Sequence, residues 1–427
     1  MSDVSGFLVP AGFRFAAGKA GLKKSGRADL ALIVADEGAS AAAVYTSNRV
    51  QAAPIQIDQE HLAATEGRVR AVVINAGNAN CAAGQAGLDA ARAVCEAAAG
   101  QFGCLAEEVF PSSTGIIGVP LPAEKVIGAL PGIAAELGAE SDHLQQVARA
   151  ILTTDLVEKT AFARVMVTDI TGVEREIRIA GVGKGSGMIH PRLKGPAVSD
   201  AGGLDAAAPH ATMLMYLLTD AEMAPKSMQR ILARVVEKSF NRISVDGDTS
   251  TNDTVLLLAS GKSGAPRVLD SGEESDLAFE AALTQVATSL AKQVVADGEG
   301  VGHVVELRVN GAVSDADAVK VAKAIAHSPL VKTAWAGRDP NWGRLVAAIG
   351  YSGAEIDPAR IDISFGELAI CRDGGRAAGI DEAAAHAYLS QPEFAITIEL
   401  HQGEGSCVFW TCDLTAEYVR INADYSS

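Results

Sequence analysis

The chain has 427 residues, which is long enough for two domains or for one large α/β unit with a smaller companion. Its 36 Lys and Arg residues against 52 Asp and Glu residues give a formal net charge of −16. That charge argues against a nucleic-acid-binding protein, because such proteins neutralise phosphates. No apolar run approaches the roughly 18–20 residues that span a bilayer, and the first residues lack the features of a signal peptide. We therefore expect a cytoplasmic protein without nucleic-acid or membrane partners.

The hydrophobic pattern predicts strands and helices in mixed order along the chain. The predicted strands lie at 29–36, 43–47 and 68–75, within 162–182 as a pair joined at Thr171-Gly172, and at 254–260, 303–309, 344–349, 361–365, 395–401, 407–411 and 417–422. The predicted helices span 83–102, 121–138 with a break at Pro131, 143–152, 212–220, 225–237, 275–296 and 314–327.

This order favours a layered α/β fold, in the α+β sense, because it shows no regular βαβ repeat. We expect mixed sheets packed with helices and a second, smaller α/β domain, not a Rossmann fold. The glycine clusters at 181–187 and 298–302 lack both the Walker spacing and a complete GxGxxG followed by a helix and an acidic residue.

Neither a metal site nor a disulfide framework is predicted. The six cysteines lack CxxC spacing and are expected to be reduced thiols, and the eight histidines lack paired-ligand spacing. The acidic segment DGDTSTNDT (246–254) resembles a calcium loop, but Thr251 stands where an EF-hand needs glycine. We therefore expect no metal and no other cofactor.

The unusual chemistry lies at Ala211-Thr212, directly after a Gly/Ala/Pro/Asp-rich segment at 192–209 that is predicted to be an exposed loop. If the chain breaks between these two residues, Thr212 gains an α-amine beside its own hydroxyl. The pKa of an α-amine is about 8, so this group can act as a general base at neutral pH. The alternative is that Thr212 caps the helix predicted behind it.

Two other segments could complete such a site. SSTGIIG (112–118) places Thr114 and Gly115 at a predicted flexible turn, where a hydroxyl and a bare backbone N–H could face a developing oxyanion. KGSGMIHP (184–191) presents Lys184 on a glycine-rich backbone, as the recognition of a small anion requires. A plain turn and a solvated lysine are the alternatives.

Several ordered motifs together resemble the ornithine acetyltransferase (glutamate N-acetyltransferase) family, and the resemblance runs from about Gly12 to Ser427. The motifs are INAGNANCAAGQAG (74–87), SSTGIIG (112–118), KGSGMIHP (184–191), ATMLMYLLTDA (211–221), SFNRISVDGDTSTNDTVLLLASG (239–261), GRDPNWGR (337–344) and YVRINADYSS (418–427).

The resemblance implies a precursor that cuts itself between Ala211 and Thr212. The products are an α chain, 1–211, and a β chain, 212–427, which stay together, typically as α2β2. Thr212 then takes the acetyl group from N-acetylornithine and passes it to glutamate, in the cyclic route of arginine biosynthesis. Bifunctional members also use acetyl-CoA.

The resemblance also assigns individual residues. Thr114 and Gly115 match the oxyanion pair of the family. Lys184 would face the α-carboxylate of N-acetylornithine, and Glu299 its δ-ammonium group. The positions that match substrate contacts are Thr153, Lys184, Thr212, Glu299, Asn422 and Ser427.

This sequence departs from the family pattern near the pocket. Residues 192–209 intervene just before the scissile bond. His210 stands where the family more usually has an apolar or Asn-Met-like segment leading to that bond. Val301-Gly302-His303 stands where the family tends to have Ala-Thr-Lys, which removes a polar pair near Glu299. Two alternatives therefore remain open. One is an N-terminal-threonine amidohydrolase or aminopeptidase that acts on another acylated amine, and the other is an uncleaved, non-catalytic paralogue.

Overall fold

The computed structural model describes residues 8–168, 171–196 and 212–424. These residues form two compact units. The first is built from the chain up to Asn241 together with Thr249–Ala291, and the second from Arg242–Asp248 and the chain from Lys292 onwards. The mixed α/β character and the smaller second unit confirm the predicted fold class.

The first unit contains nine strands and most of the helices before residue 300. The strands are β1 (Phe13–Gly18), β2 (Leu30–Thr46), β3 (Arg68–Asn78), β4 (Val109–Ile116), β5 (Lys159–Thr168), β6 (Glu174–Lys184), β7 (Leu193–Lys194), β8 (Leu214–Thr219) and β9 (Thr254–Ala259). The helices are α1 (Ala53–Ala64), α2 (Gly84–Phe102), α3 (Ala123–Ala134), α4 (Ser141–Ala150), α5 (Pro225–Lys238) and α6 (Glu274–Ala296).

All nine strands belong to one sheet, in the order β4-β3-β2-β9-β8-β6-β5, with β1 and β7 also paired to β2. The pairs β3–β4 and β8–β9 are parallel, and the other pairs are antiparallel. The long strand β2 bends in the middle, where its register against β3 is broken between Val34 and Ala39. Its first half pairs with β1 and β3, and its second half pairs with β9.

This bend folds the sheet over its own core. Ile33 from the first half of β2, Tyr45 from the second half and Leu256 from β9 share one hydrophobic cluster between the two halves. On the outer face of the first half, Leu32 packs with residues of α2 and α3. Because the two ends of β2 return to the same side, the C-terminal ends of β3 and β4 lie at one edge with the N-terminal ends of β8 and β9.

The side chain of Asn252 joins the strand ends at this edge by hydrogen bonds. Asn252, just before β9, donates from Nδ2 to the carbonyl oxygen of Ala79 at 2.7 Å and to that of Ser113 at 2.9 Å. Ala79 follows β3, and Ser113 lies in β4. Asn252 is buried, so both bonds are protected from water. The ends of β3 and β4 are therefore held beside the start of β9, although these segments are far apart in the sequence.

The second unit is a six-stranded sheet in the order β13-β12-β11-β14-β10-β15, in which only β10 and β14 are parallel neighbours among the described residues. A single apolar cluster, which includes Leu307, Ile325 and Ile396, joins the sheet to its helices. The elements are β10 (Val304–Ala312), β11 (Asp362–Phe365), β12 (Leu368–Arg372), β13 (Gly375–Arg376), β14 (Glu393–Glu399), β15 (Gly405–Cys412), α7 (Asp315–Ala326), α8 (Pro329–Ala336), α9 (Trp342–Gly350), α10 (Glu382–Tyr388) and α11 (Ala416–Asp424).

The helix predicted at 212–220 is wrong, because this segment is strand β8. All six residues of β8 are buried, and the strand lies between β6 and β9. A strand covered on both faces carries an unbroken apolar run, which periodicity cannot distinguish from a buried helix. Thr212 therefore does not cap a helix.

Two predicted strands are also wrong, since 344–349 and 417–422 lie in the helices α9 and α11. Asn341 caps α9 by accepting the Arg344 N–H at 3.2 Å, and the buried positions Leu345, Ala348 and Ile349 follow helical spacing. In α11, Arg420 is paired with residues three before and four after it, which places the three charged groups on one helical face.

Smaller differences concern the ends and joins of elements. The strands predicted at 29–36 and 43–47 are two halves of one strand, β2, and α3 continues through Pro131. The segment predicted as an exposed loop from 192 begins as the short strand β7, which pairs with the end of β2 and buries Leu193. The part of that segment from 197 lies outside the described residues. No described helix has both the length and the apolar content needed to cross a membrane.

Candidate active site

Thr212 lies directly before β8, at the edge of the sheet where the ends of β3 and β4 meet the starts of β8 and β9. Its side chain is buried. Its Oγ1 atom is 3.1 Å from Oγ of Ser250, which precedes β9. Its carbonyl oxygen accepts a hydrogen bond of 2.9 Å from Lys184 Nζ. The next backbone N–H, that of Met213, donates to Asp253 Oδ1 at 2.9 Å. Both the hydroxyl and the backbone of Thr212 are therefore held in place.

Lys184 reaches Thr212 because it ends β6, which neighbours β8 in the sheet. Its register partner in β8 is Leu214, two residues after Thr212. Gly183 allows this close pairing, since a Cβ atom there would collide with the side chain of Met215 and the carbonyl of Leu214. The Lys184 side chain is fully buried. Its ammonium group is therefore fixed beside the candidate nucleophile.

Asp155 compensates the charge of two buried lysines. Its Oδ2 atom lies 3.3 Å from Lys184 Nζ, and its Oδ1 atom lies 2.9 Å from Lys159 Nζ. The backbone N–H groups of Gly185, at 2.7 Å, and Thr153, at 3.0 Å, also donate to this carboxylate. Burial opposes ionisation, but Lys184 and Lys159 outweigh it and hold the pKa of Asp155 well below its usual value.

Thr153, predicted as a substrate contact, belongs to this group. Besides its backbone bond to Asp155, its Oγ1 lies 3.5 Å from Oδ2 of the same carboxylate. The structure thus brings Thr153 and Lys184 together through Asp155. The contact between Asp155 and Lys184 could not be predicted from the sequence, because the two residues are 29 positions apart and meet only where β6 ends.

Thr114 and Gly115 lie near the end of β4, not in the predicted flexible turn. Thr114 is fully buried, and its Oγ1 atom has no hydrogen-bond partner within the described structure. Gly115 has φ +130°, and a Cβ atom there would collide with the backbone of Gly77 and Asn78 in β3. Only glycine suits that backbone conformation and that approach. The pair is rigid, which suits donors that must be placed before charge develops.

A continuous set of contacts joins the Thr114 strand to Thr212. Ser250 Oγ, which contacts Thr212, accepts the backbone N–H of Asn252 at 3.1 Å. Asn252 in turn donates to the carbonyl of Ser113, the residue before Thr114. Sequence analysis missed Ser250, Asn252 and Asp155. The segment TSTND was visible as part of a motif, but its spacing indicated only a failed calcium loop.

Glu299 and Asn422 lie in the second unit, where they contact each other. Asn422 Nδ2 donates to Glu299 Oε2 at 3.0 Å and to the carbonyl oxygen of Tyr418 at 3.1 Å. Glu299 is half-buried, and Asn422 is exposed. Gly300, with φ +69°, permits this approach because a Cβ atom there would collide with the backbone N of Tyr418. The loop after α6 and helix α11 are therefore fitted to each other.

His303, which stands where the family tends to have lysine, makes a polar contact of its own in this loop. His303 Nδ1 lies 2.8 Å from Asp413 Oδ2, and the N–H of Gly302 donates to Asp413 Oδ1 at 2.9 Å. Both side chains are buried. A different polar pair therefore anchors the loop that carries Glu299.

Two of the predicted site residues, Ala211 and Ser427, lie outside the described residues. The six cysteines are free thiols, five of them buried. Within the described part of the chain, no group of three or more His, Cys, Asp or Glu side chains is arranged to hold a metal ion.

Comparison with known proteins identifies the family. The model of the ArgJ family matches residues 14–427. The arginine biosynthesis bifunctional protein ArgJ of Geobacter sulfurreducens is 45% identical over 414 residues, which cover 97% of this chain and 98% of that protein. The protein of the same name from Caulobacter vibrioides is 43% identical over 418 residues, with 98% of each chain covered. The chain belongs to the ArgJ family, whose members are acetyltransferases of arginine biosynthesis.

Solved structures of similar chains were also found. A crystal structure of an arginine biosynthesis bifunctional protein from Bacillus halodurans is 43% identical, covers 48% of this chain and 96% of that one, and aligns with a TM-score of 0.47. An ornithine acetyltransferase from Mycobacterium tuberculosis, solved in complex with ornithine, is 37% identical, covers 44% of this chain and 96% of that one, and aligns with a TM-score of 0.38.

Proposed function

We propose that this chain is a glutamate N-acetyltransferase that moves the acetyl group of N2-acetylornithine to glutamate through an acetyl-Thr212 intermediate. Membership of the ArgJ family over residues 14–427 supports the reaction class. The single structural observation that carries the proposal is the buried Thr212, held at its hydroxyl by Ser250 and at its carbonyl by Lys184. A hydroxyl held in this way at the end of a rigid sheet is suited to nucleophilic catalysis.

Activation begins with self-cleavage between Ala211 and Thr212. The Thr212 hydroxyl attacks the Ala211 carbonyl carbon, a C–O bond forms, the amide C–N bond breaks, and the hydroxyl proton passes to the departing nitrogen. Water then hydrolyses the ester. The products are the α chain, 1–211, and the β chain, 212–427, which begins with the α-amine of Thr212.

Transfer uses that α-amine as the base. It accepts the Oγ1 proton while Oγ1 attacks the acetyl carbonyl, and it returns the proton to the departing α-amine of ornithine. The amine of glutamate then attacks acetyl-Thr212, the ester C–O bond breaks, and a proton passes from the attacking amine through the α-amine to Oγ1. Thr114 Oγ1 and the N–H of Gly115 stabilise the negative charge on the carbonyl oxygen in both steps.

Substrate recognition divides by charge. We assign the α-carboxylate of N-acetylornithine to Lys184, with Thr153 beside it, because Lys184 and Lys159 share the single carboxylate of Asp155 and so leave one positive charge in this group. We assign the δ-ammonium group to Glu299, which Asn422 orients, and give Ser427 a supporting hydrogen bond. Acetyl-CoA is the second acetyl donor of the bifunctional reaction. We propose that no metal or cofactor takes part.

The assembly and location complete the proposal. The α and β chains remain associated, as α2β2, and the enzyme acts in the cytoplasm on small molecules without nucleic-acid or membrane partners. The six thiols without a disulfide support a reducing compartment. The net charge of −16 makes nucleic acid an unfavourable partner.

The decisive assay supplies N-acetylornithine and glutamate and follows N-acetylglutamate and acetate separately. The proposal predicts N-acetylglutamate as the main product, with acetate a minor one at saturating glutamate. A second reaction with acetyl-CoA in place of N-acetylornithine tests the other donor. Acetate as the main product would instead favour the amidohydrolase, and no turnover by an intact chain would favour a non-catalytic paralogue.

A further inference from the structure

We propose that Ser250 is a further catalytic residue, whose hydroxyl donates a hydrogen bond to Thr212 Oγ1 during acetyl transfer; this inference rests on the proposed function. Ser250 Oγ lies 3.1 Å from Oγ1, the atom that carries the acetyl group. Both side chains are buried, so the contact is shielded from water.

The position of Ser250 is fixed from several sides. Its Oγ atom accepts the backbone N–H of Asn252 at 3.1 Å, and its carbonyl oxygen accepts Thr46 Oγ1 at 2.6 Å. Asn252 is itself tied to the carbonyl oxygens of Ala79 and Ser113. The hydroxyl of Ser250 therefore belongs to the same rigid edge as the oxyanion residue Thr114, and its placement costs no rearrangement when the reaction starts.

The direction of the hydrogen bond follows from the chemistry. Thr212 needs its own hydroxyl proton for the α-amine, so donation of that proton to Ser250 would compete with activation. In acetyl-Thr212, moreover, Oγ1 is an ester oxygen with no hydrogen. The contact can persist through the cycle only if Ser250 is the donor, and Ser250 Oγ remains able to accept the Asn252 N–H while it donates.

This donor is most useful when Oγ1 is the leaving group. As the glutamate amine displaces the acetyl group, the C–Oγ1 bond breaks and negative charge collects on Oγ1 before the proton arrives from the α-amine. A hydrogen bond from Ser250 stabilises that charge. Because the same charge is absent from the bound substrate, the effect belongs to the turnover number and not to substrate binding.

The test compares Ser250→Thr with Ser250→Val. The two side chains have nearly the same shape, and only the first has a hydroxyl, so any packing change is shared. We expect the Val variant to have a kcat about 10- to 100-fold below that of the Thr variant, with KM for N-acetylornithine not raised, because a slower second step lowers kcat without weakening the binding of the acetyl donor. Acetylated β chain should accumulate in the Val variant during turnover, as measured by intact mass. Ser239→Ala, another buried serine of the first unit, is the control and should match the wild type.

The outcomes separate this inference from the proposed function. If the wild-type protein forms no β chain starting at Thr212 and transfers no acetyl group, the proposed function fails. If the wild type is active but the Thr and Val variants have equal kcat, or the loss in the Val variant is a raised KM for N-acetylornithine, only the role of Ser250 is overturned. If the Val variant fails to self-cleave while the Thr variant cleaves, the hydroxyl is needed at Oγ1 for that step too, which supports the inference.

Discussion

Two sets of site residues hold their polar groups in opposite ways, one set in the first unit and one in the second. In the first, Thr212, Lys184 and Asp155 are buried, and each has fixed partners from other segments of the chain. In the second, Glu299 is half-buried and Asn422 is exposed at the surface of a short terminal helix. Buried charges are costly unless paired, so the first set must be rigid, whereas the more exposed pair of Glu299 and Asn422 can rearrange around a ligand at lower cost. We therefore expect the first set to keep its geometry during the reaction and the second set to adjust to the substrate.

The largest effect should follow from Thr212→Ala. Without the hydroxyl, neither self-cleavage nor acetyl transfer can occur, because each step needs Oγ1. Intact mass should give a single chain, and acetyl transfer should fall to background. Thr212→Ser keeps a hydroxyl and is expected to retain part of both activities. Normal cleavage in the Ala variant would rule out Thr212 as the nucleophile.

The next effect concerns stability in the buried group. Asp155→Asn leaves Lys159 and Lys184 without their shared carboxylate, and the breaking of a buried ion pair costs about 3–5 kcal/mol. Urea unfolding should show this decrease at neutral pH. Asp89→Asn changes an exposed carboxylate of the same unit and should change the free energy of unfolding by less than about 0.5 kcal/mol.

The pH dependence sharpens this prediction. The pKa of Asp155 is lower in the folded than in the unfolded protein, so its ionised form stabilises the fold above the unfolded value of about 3.9. The stability difference between wild type and Asp155→Asn should therefore be constant from about pH 5 to pH 8 and should shrink as the pH falls below about 4. A difference that grew in acid would contradict the ion-pair account.

Thr114→Val tests the oxyanion assignment in the first unit. Valine keeps the shape of threonine but lacks the donor, and the loss of one such donor typically lowers kcat by about 10²–10³-fold. Thr114→Ser should recover most of the activity. Ser112→Ala, which removes a buried hydroxyl two residues earlier in the same strand, serves as the control. If the Val variant stays within threefold of the wild type, Thr114 does not serve as the oxyanion donor.

The smallest effect is expected for substitutions of Glu299 and Asn422. Glu299→Gln removes the charge that we assign to the δ-ammonium group and should raise KM for N-acetylornithine about 10-fold, with kcat little changed. Asn422→Ala should have a smaller effect in the same direction, since it removes a hydrogen bond to Glu299 and no charge. Glu355→Gln, an exposed carboxylate of the second unit, is the control. An unchanged KM in Glu299→Gln would remove this residue from the pocket.

Sequence reasoning was most successful where a pattern alone decides structure. Amphipathic helices such as α2 and α5, and the paired strands β5 and β6, have the expected periodicity. It failed at β8, whose unbroken apolar run has no period, and at α9, whose helical state depends on the Asn341 cap and on the cluster that it covers. The state of β8 is decided by tertiary burial, which a local pattern does not contain, whereas the Asn341 cap of α9 was a local signal that could have indicated the helix.

Prediction of the candidate active site from the sequence has the same limit. Thr212, Thr114, Gly115 and Lys184 could be selected from motifs, because each motif carries an unusual residue type for its context. Ser250 and Asp155 could not, since their roles follow from the bend in β2 and from the meeting of strand ends. That bend involves a register break of β2 between Val34 and Ala39, which no spacing rule anticipates.

The central claim is that Thr212 becomes an N-terminal nucleophile, and intact mass of the purified protein under denaturing conditions tests it most directly. We predict two chains in place of one of 43.9 kDa, with the second beginning at Thr212. After addition of N-acetylornithine alone, the second chain should gain one acetyl group. A single full-length chain, with or without substrate, would contradict the account.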